Sequence, residues 1–137
     1  MRPLPKADAR DRATVDWKAA IAFLAAFEAP SYTFGRWHQP EDQPGYYEYS
    51  PEVIAFIETL YAASVVLDFD WPSWQPQAMR YWEQPSRLHS ARLLTLRKLL
   101  TLHVRADRYV EGHLASMLES GHITAILRRV AHLVAHR

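Results

Sequence analysis

SARLLTLRKLLTLHVRADRYVEGHLASMLESGHITAILRRVAHLVAHR, residues 90–137, decides the fold. Its leucines, isoleucines and valines recur at three- and four-residue steps, the signature of helices with a buried stripe. The spacing predicts three helices, Ser90–Ala106, Arg108–Glu119 and His122–His136, with Gly121 closing the second as glycine does just past a helix end. The connections are short, so neighbouring helices should pack antiparallel or at a steep angle. The same stretch carries much of the basic charge. From Ser86 onward there are nine Arg/Lys against three Asp/Glu, and six of the seven histidines. Met1–Pro85 holds seven Arg/Lys against twelve Asp/Glu, so a chain of net charge +1 divides into a basic and an acidic part.

Upstream, Trp17, Ala20, Ile21, Leu24 and Phe27 mark a helix opening near Ala13 and stopped by Pro30. Ser50-Pro51-Glu52 is a helix start, combining a hydroxyl cap, proline at the first position and an early acid. That helix should bury Val53, Phe56, Ile57, Leu60 and Tyr61. Between the two lies a polar-aromatic segment in which strands at Tyr32–Trp37 and Tyr46–Tyr49 are an option. FDWPSW (69–74) forms an aromatic turn into a short helix near Gln77–Trp82, ended by Pro85. The expected fold is mostly all-α, a single compact bundle of five to six helices with an irregular aromatic loop region and an optional short hairpin. Residues 1–12 read as a flexible arm and 13–137 as one helical domain.

A chain of 137 residues can bury a core without staples: area scaling puts about 68% of the extended-chain surface inside. The absence of cysteine excludes disulfides, thiolate zinc sites and thiol nucleophiles, and the absence of asparagine excludes N-glycosylation. The charged MRPLPKADARDR lacks the apolar run of a secretory signal, and no stretch is apolar enough to span a membrane. These features point to a soluble cytoplasmic domain.

Within residues 93–134 the string LTLRKLLTLHVRADRYVEGHLASMLESGHITAILRRV resembles an uncharacterised family of small bacterial proteins, domain of unknown function 6508. FGRW (34–37), YSPEVIAFIETLY (49–61) and FDWPSW (69–74) are similar to its pattern too, so the resemblance runs from about Trp17 to Val134. It implies a self-contained domain of a recurring bacterial type and brings no activity, ligand or partner.

Stepping about 100° per residue from Arg97 puts Thr101, Arg105 and Lys98 on one helix face, opposite Leu93, Leu96, Leu99, Leu100 and Val104. Arg128 and Arg129 with His132 and His136 give the last helix a second cationic face. Such surfaces suit phosphates or an acidic partner, or they are solvated faces paired with the acidic part of the same chain. Binding to nucleic acid through about four phosphates would weaken on the order of 100-fold between about 50 and 200 mM salt. Ala115–Arg129 is a loose candidate helix-turn-helix, with its glycine two places late for that motif.

Glu111 and His113 are two apart and diverge on a helix, so Glu111 should instead meet Arg108. His113 falls on the apolar stripe with Val110, Leu114 and Met117. Gly112, costing about 1 kcal/mol in a helix interior, signals close approach by another helix, with an aromatic-bearing segment as an option and a substrate reaching the backbone as the rarer alternative. His103 and Asp107, four apart, could pair and be joined by His113, although H-x3-D-x5-H matches no metal motif; Asp107 could equally cap the following helix. Trp37, Trp71, Trp74, Tyr81 and Trp82, with Asp68 and Asp70, either roof the core or line a pocket. Phosphate loops, zincin motifs and nucleophile elbows are absent.

The leading expectation is a non-catalytic interaction or regulatory domain that uses Arg97, Lys98, Arg105, Arg128, Arg129, Trp71 and Trp74. Its partner would be an acidic protein or nucleic acid, with a homodimer as an option. No membrane, metal or cofactor is expected. The alternatives are a small enzyme built on His103, Arg105, Arg108, Glu111 and His113, and a nucleic-acid binder; the enzyme question stays open, leaning toward no.

Overall fold

A computed structural model describes residues 3–7 and 15–137. Seven α-helices and one two-stranded hairpin make up the described residues, in the order α1 (Trp17–Ile21), α2 (Leu24–Phe27), β1 (Gly35–His38), β2 (Tyr46–Tyr49), α3 (Pro51–Ala62), α4 (Trp71–Glu83), a 3-10 segment (Pro85–Ser90), α5 (Leu93–Ala106), α6 (His113–Glu119) and α7 (His122–Ala135). The architecture is the mostly α-helical bundle that the periodicity implies. The seventh helix arises because the first predicted one is divided. Asp16 opens α1 by accepting from Ala19 N, but Phe23 N then donates to Ala20 O, a three-residue step that breaks the four-residue ladder. The expected starting residues 13 and 14, and residues 1–2 and 8–12 of the expected arm, lie outside the described residues. Of that arm, Pro5 O accepts from Asp68 N at 2.7 Å and Lys6 pairs with the Asp68 carboxylate.

Helix α3 follows its sequence signals closely. The Ser50 hydroxyl accepts from Val53 N at 3.3 Å, and Val53, Phe56 and Leu60 are buried. Phe56 makes T-shaped contacts with Phe23 and Phe27 at centroid separations of 5.4 and 5.1 Å, which fastens α2 to the bundle. After α3, Ser64 adopts a left-handed φ of 64°, and Val65, Val66 and Leu67 run fully buried without regular structure.

Helix α4 begins six residues earlier than expected. Asp70, read as a turn former, caps it by accepting from Ser73 N and Ser73 Oγ. Pro76 then sits inside the helix, where sequence rules would place a start.

Helix α5 is the axis of the molecule. Leu96, Leu99, Leu100, Leu102 and Val104 are buried, and so are Arg97, Thr101 and His103. The cationic face expected to display Arg97 is therefore partly internal. The buried segment 65–67 has unpaired backbone groups, and α5 supplies their partners. Arg97 donates from Nη2 to Ser64 O (2.6 Å) and from Nε to Val65 O (3.2 Å), while Thr101 Oγ1 accepts from Leu67 N (3.0 Å). Solvation would leave those backbone groups orphaned, so the guanidinium goes inward.

The hairpin is antiparallel, with Gly35 facing Tyr49 and Trp37 facing Tyr47. Its first strand starts later than the expected Tyr32. A Cβ on Gly35 would lie 2.1 Å from Glu48 O, so the strand begins at the one residue type that admits this approach.

Candidate functional site

Three histidines meet at the junction of α5, α6 and α7. His103 Nδ1 lies 3.0 Å from His113 Nε2, and His103 Nε2 lies 3.1 Å from His122 Nε2. Each hydrogen bond requires one protonated and one bare nitrogen. A neutral His103 therefore donates to one neighbour and accepts from the other, and the three rings form a directional chain. Trp82 covers the chain, with its ring 5.1 Å from His103 and 5.6 Å from His122. Burial pushes all three histidines toward the neutral form. His103 titrates well below its ordinary value, first through desolvation and then through its histidine neighbours. Desolvation and His113 bring His122 down to about 4, and desolvation lowers His113 against the opposing pull of Asp107. Because His103 offers a different nitrogen to each neighbour, the three rings do not converge on a common point, and no group of three metal-type ligands is arranged for an ion among the described residues.

Asp107, open to pairing with His103 or to capping the following helix, takes the capping role and organises the α5–α6 connection. Its Oδ1 accepts from Leu114 N (2.9 Å), capping α6, and from the Tyr49 hydroxyl (2.6 Å). Tyr49 Oη in turn accepts from Ala115 N at 3.0 Å, and its pKa is raised by desolvation and by Asp107. Glu111 does not pair with Arg108. It accepts from Tyr47 N at 2.9 Å, while the Tyr47 hydroxyl donates to Glu119 at 3.2 Å. Burial, and then the charge of Glu119, push that hydroxyl up to about 12. The hairpin is thus latched to α6 by two tyrosines and three carboxylates.

Gly112 completes the latch. It has a left-handed φ of 77° immediately before α6, and a Cβ there would lie 2.5 Å from the Trp37 ring. The expected close approach is real, but it comes from the aromatic-bearing strand β1 rather than from another helix, and the glycine precedes α6 rather than lying within it. Gly112→Ala should cost about 1–2 kcal/mol through the positive φ and the displaced ring. Urea unfolding would measure the loss, and Trp37→Ala in the same background should recover the part due to the clash.

The remaining predicted residues do not assemble into one site. Arg105 is half-buried and its charge lowers the Asp68 pKa after the larger effect of Lys6. Arg108 is exposed. Trp71 packs on Tyr109, while Trp74 packs on Phe69 and lies beneath Lys98, whose ammonium is 5.6 Å from its ring. Arg128 forms an ion pair with Glu28 of α2's end, joining the basic and acidic parts of the chain as the internal-pairing reading expected for some of the charge. Arg129 donates to Ala91 O at 3.0 Å. Two grooves flank the 3-10 segment. A cavity of about 600 Å³ is lined by Pro85, Leu88, His89, Ala125, Arg128, Arg129 and His132, among others. A second, of about 290 Å³, includes Trp74, Arg80, Tyr81, Arg87, Thr95 and Lys98 in its lining. Neither lining contains a carboxylate or any of His103, Arg105, Arg108, Glu111 and His113.

The pattern that defines the family of unknown function DUF6508 matches residues 12–136, which takes in the hairpin, the latch and all the helices. The chain belongs to that family. No curated protein and no solved structure matches it. In this DUF6508 chain the sequence brought out His103, His113 and, as part of the aromatic group, Trp82, but missed His122, Arg80, Arg87 and His89. His122 directly follows Gly121, and it is the glycine turn between α6 and α7 that places it against His103. Arg80 and Arg87 stand on separate elements, and no linear spacing marks them as neighbours. Among the described residues, no helix is long and apolar enough to cross a membrane.

Proposed function

We propose that this chain is a non-catalytic interaction domain whose basic C-terminal surface, centred on the groove between the 3-10 segment and α7, receives an acidic segment of a partner protein. The observation that carries this reading is the lining of the larger groove. Leu88 and Ala125 offer an apolar floor, while His89, Arg129 and His132 supply a polar rim beside Arg128, whose charge is already shared with Glu28. Apolar contact with a cationic rim suits a chain that alternates acidic and apolar side chains. The enzyme reading needed its polar residues to converge in a cavity, and the candidates are instead divided between the histidine chain, the hairpin latch and the open surface. For the nucleic-acid reading, His122, Ile123 and Thr124 are buried, so the first turn of α7 is withheld from base edges.

Fluorescence anisotropy with a labelled peptide of alternating glutamate and leucine tests the proposal. Binding should weaken about tenfold in Arg129→Gln, the loss of one charge-assisted contact, and should exceed binding to a DNA duplex of equal charge. Absence of peptide binding, indifference to Arg129→Gln, or preference for the duplex would overturn it. A self-association constant that changes with the same substitution would assign the groove to a second copy instead.

A further inference from the structure

We propose that the smaller groove, between α4, the 3-10 segment and α5, is a binding site for a small phosphate monoester carrying an aromatic or similarly flat group. This site is separate from the larger groove and does not depend on the partner proposed for it.

Three cations line this one groove: Arg80 from α4, Arg87 from the 3-10 segment and Lys98 from α5. None makes an ion pair among the described residues. Two of them are held in place by other contacts. Arg87 Nε donates to Gln84 Oε1 at 2.7 Å, and Lys98 Nζ stands 5.5 Å from the centre of the Phe69 ring and 5.6 Å from that of Trp74. Holding like charges around one cavity is unfavourable in the free protein, and an anion that enters removes that repulsion. Orientation by existing contacts also lowers the entropy lost on binding.

The number of cations selects the anion. A carboxylate carries one charge and two oxygens, whereas a phosphate monoester brings nearly two charges and three acceptor oxygens. Thr95 and Tyr81, also in the lining, add hydroxyls that can donate. A volume of about 290 Å³ is at the lower edge of ligand cavities, which fits a small molecule rather than a folded partner. Trp74 and Tyr81 in the lining account for the second half of the ligand, since aromatic walls favour a flat apolar group beside the charged one.

Isothermal titration calorimetry of the full chain with phenyl phosphate, inorganic phosphate and benzoate provides the test, with binding located by amide chemical-shift changes. Phenyl phosphate should bind most tightly and shift amides in α4, the 3-10 segment and the first half of α5. Arg87→Gln and Lys98→Gln should each weaken it about tenfold, and Arg36→Gln, which removes an exposed cation on the hairpin, should leave it unchanged. Equal affinity for benzoate would overturn the phosphate assignment, and equal affinity for inorganic phosphate would overturn the aromatic half. No detectable heat with phenyl phosphate, shifts centred on His89 and Arg129, or equal weakening by Arg36→Gln would overturn the site itself. These readouts are independent of the acidic peptide, so either proposal can fail alone.

Discussion

The protein should lose about 2 kcal/mol of folding stability between pH 7 and about pH 5 through His122 alone, with His103 and His113 adding to the loss. In the unfolded chain these rings titrate near 6.5, whereas in the folded protein His122 holds out to about 4 and the other two are also lowered. A folded state with depressed histidine pKa values binds fewer protons than the unfolded one. Its stability is therefore full above 6.5 and falls as the pH drops through that value toward the folded pKa. The surroundings reinforce the sign. Trp82 packs on His103 and His122 without offering charge, and Asp107, which pulls His113 upward, is already engaged by Tyr49 and Leu114 N. The described carboxylates with shifted values, Glu48 and Asp68, start from 4.5 and 3.8, so losses above about pH 5 belong to the histidines.

His103→Leu should cost about 3 kcal/mol at neutral pH, because it strips a partner nitrogen from both His113 and His122. It should also flatten the pH dependence, since the most deeply buried ring is gone. Exposed His132→Gln should change neither. Urea unfolding at several pH values reads all three, and a midpoint that stays constant from pH 7 to about pH 5 would refute the buried neutral chain.

Arg97→Met should destabilise the fold by about 3 kcal/mol, whereas Arg108→Met should stay within about 0.5 kcal/mol of the parent. Both are arginines on the basic part of the chain, and only tertiary position separates them. Arg97 is 3% exposed and delivers its guanidinium to Ser64 O and Val65 O, two carbonyls of the turn that leads into the buried 65–67 stretch. Methionine fills similar space but donates nothing, leaving both acceptors short of a partner. Arg97→Lys should fall between the two, because an ammonium cannot reproduce the planar two-nitrogen fork. Equal denaturation midpoints for the Arg97 and Arg108 variants would show that the turn finds its partners elsewhere.

The helices of the last third were legible because a buried stripe and a glycine stop are local signals, although α6 begins at His113 rather than at the expected Arg108. Ser50-Pro51 was legible for the same reason, since a cap acts within one turn. The start of helix α4 was not, because its true cap, Asp70, stands ahead of Pro72 and the proline at 76 imitates a beginning. The face of α5 was misread where it mattered most. A helical wheel assumes that polar means outside, and Arg97 and Thr101 are inside because an irregular buried segment needs their hydrogen-bonding groups. The pairing of His103 with His113 across the turn was conceivable from spacing, and their union with His122 was not.

By itself, the sequence determined the helical class, the positions of most helix ends, the lack of thiol chemistry and the uneven division of charge, since each follows from residue type and short-range spacing. The tertiary structure alone decided which cations stay on the surface, which histidines touch, and that Arg80, Arg87 and Lys98 surround one groove. Those outcomes depend on satisfying buried backbone groups and on packing elements far apart in the chain, and neither requirement is written in any local pattern.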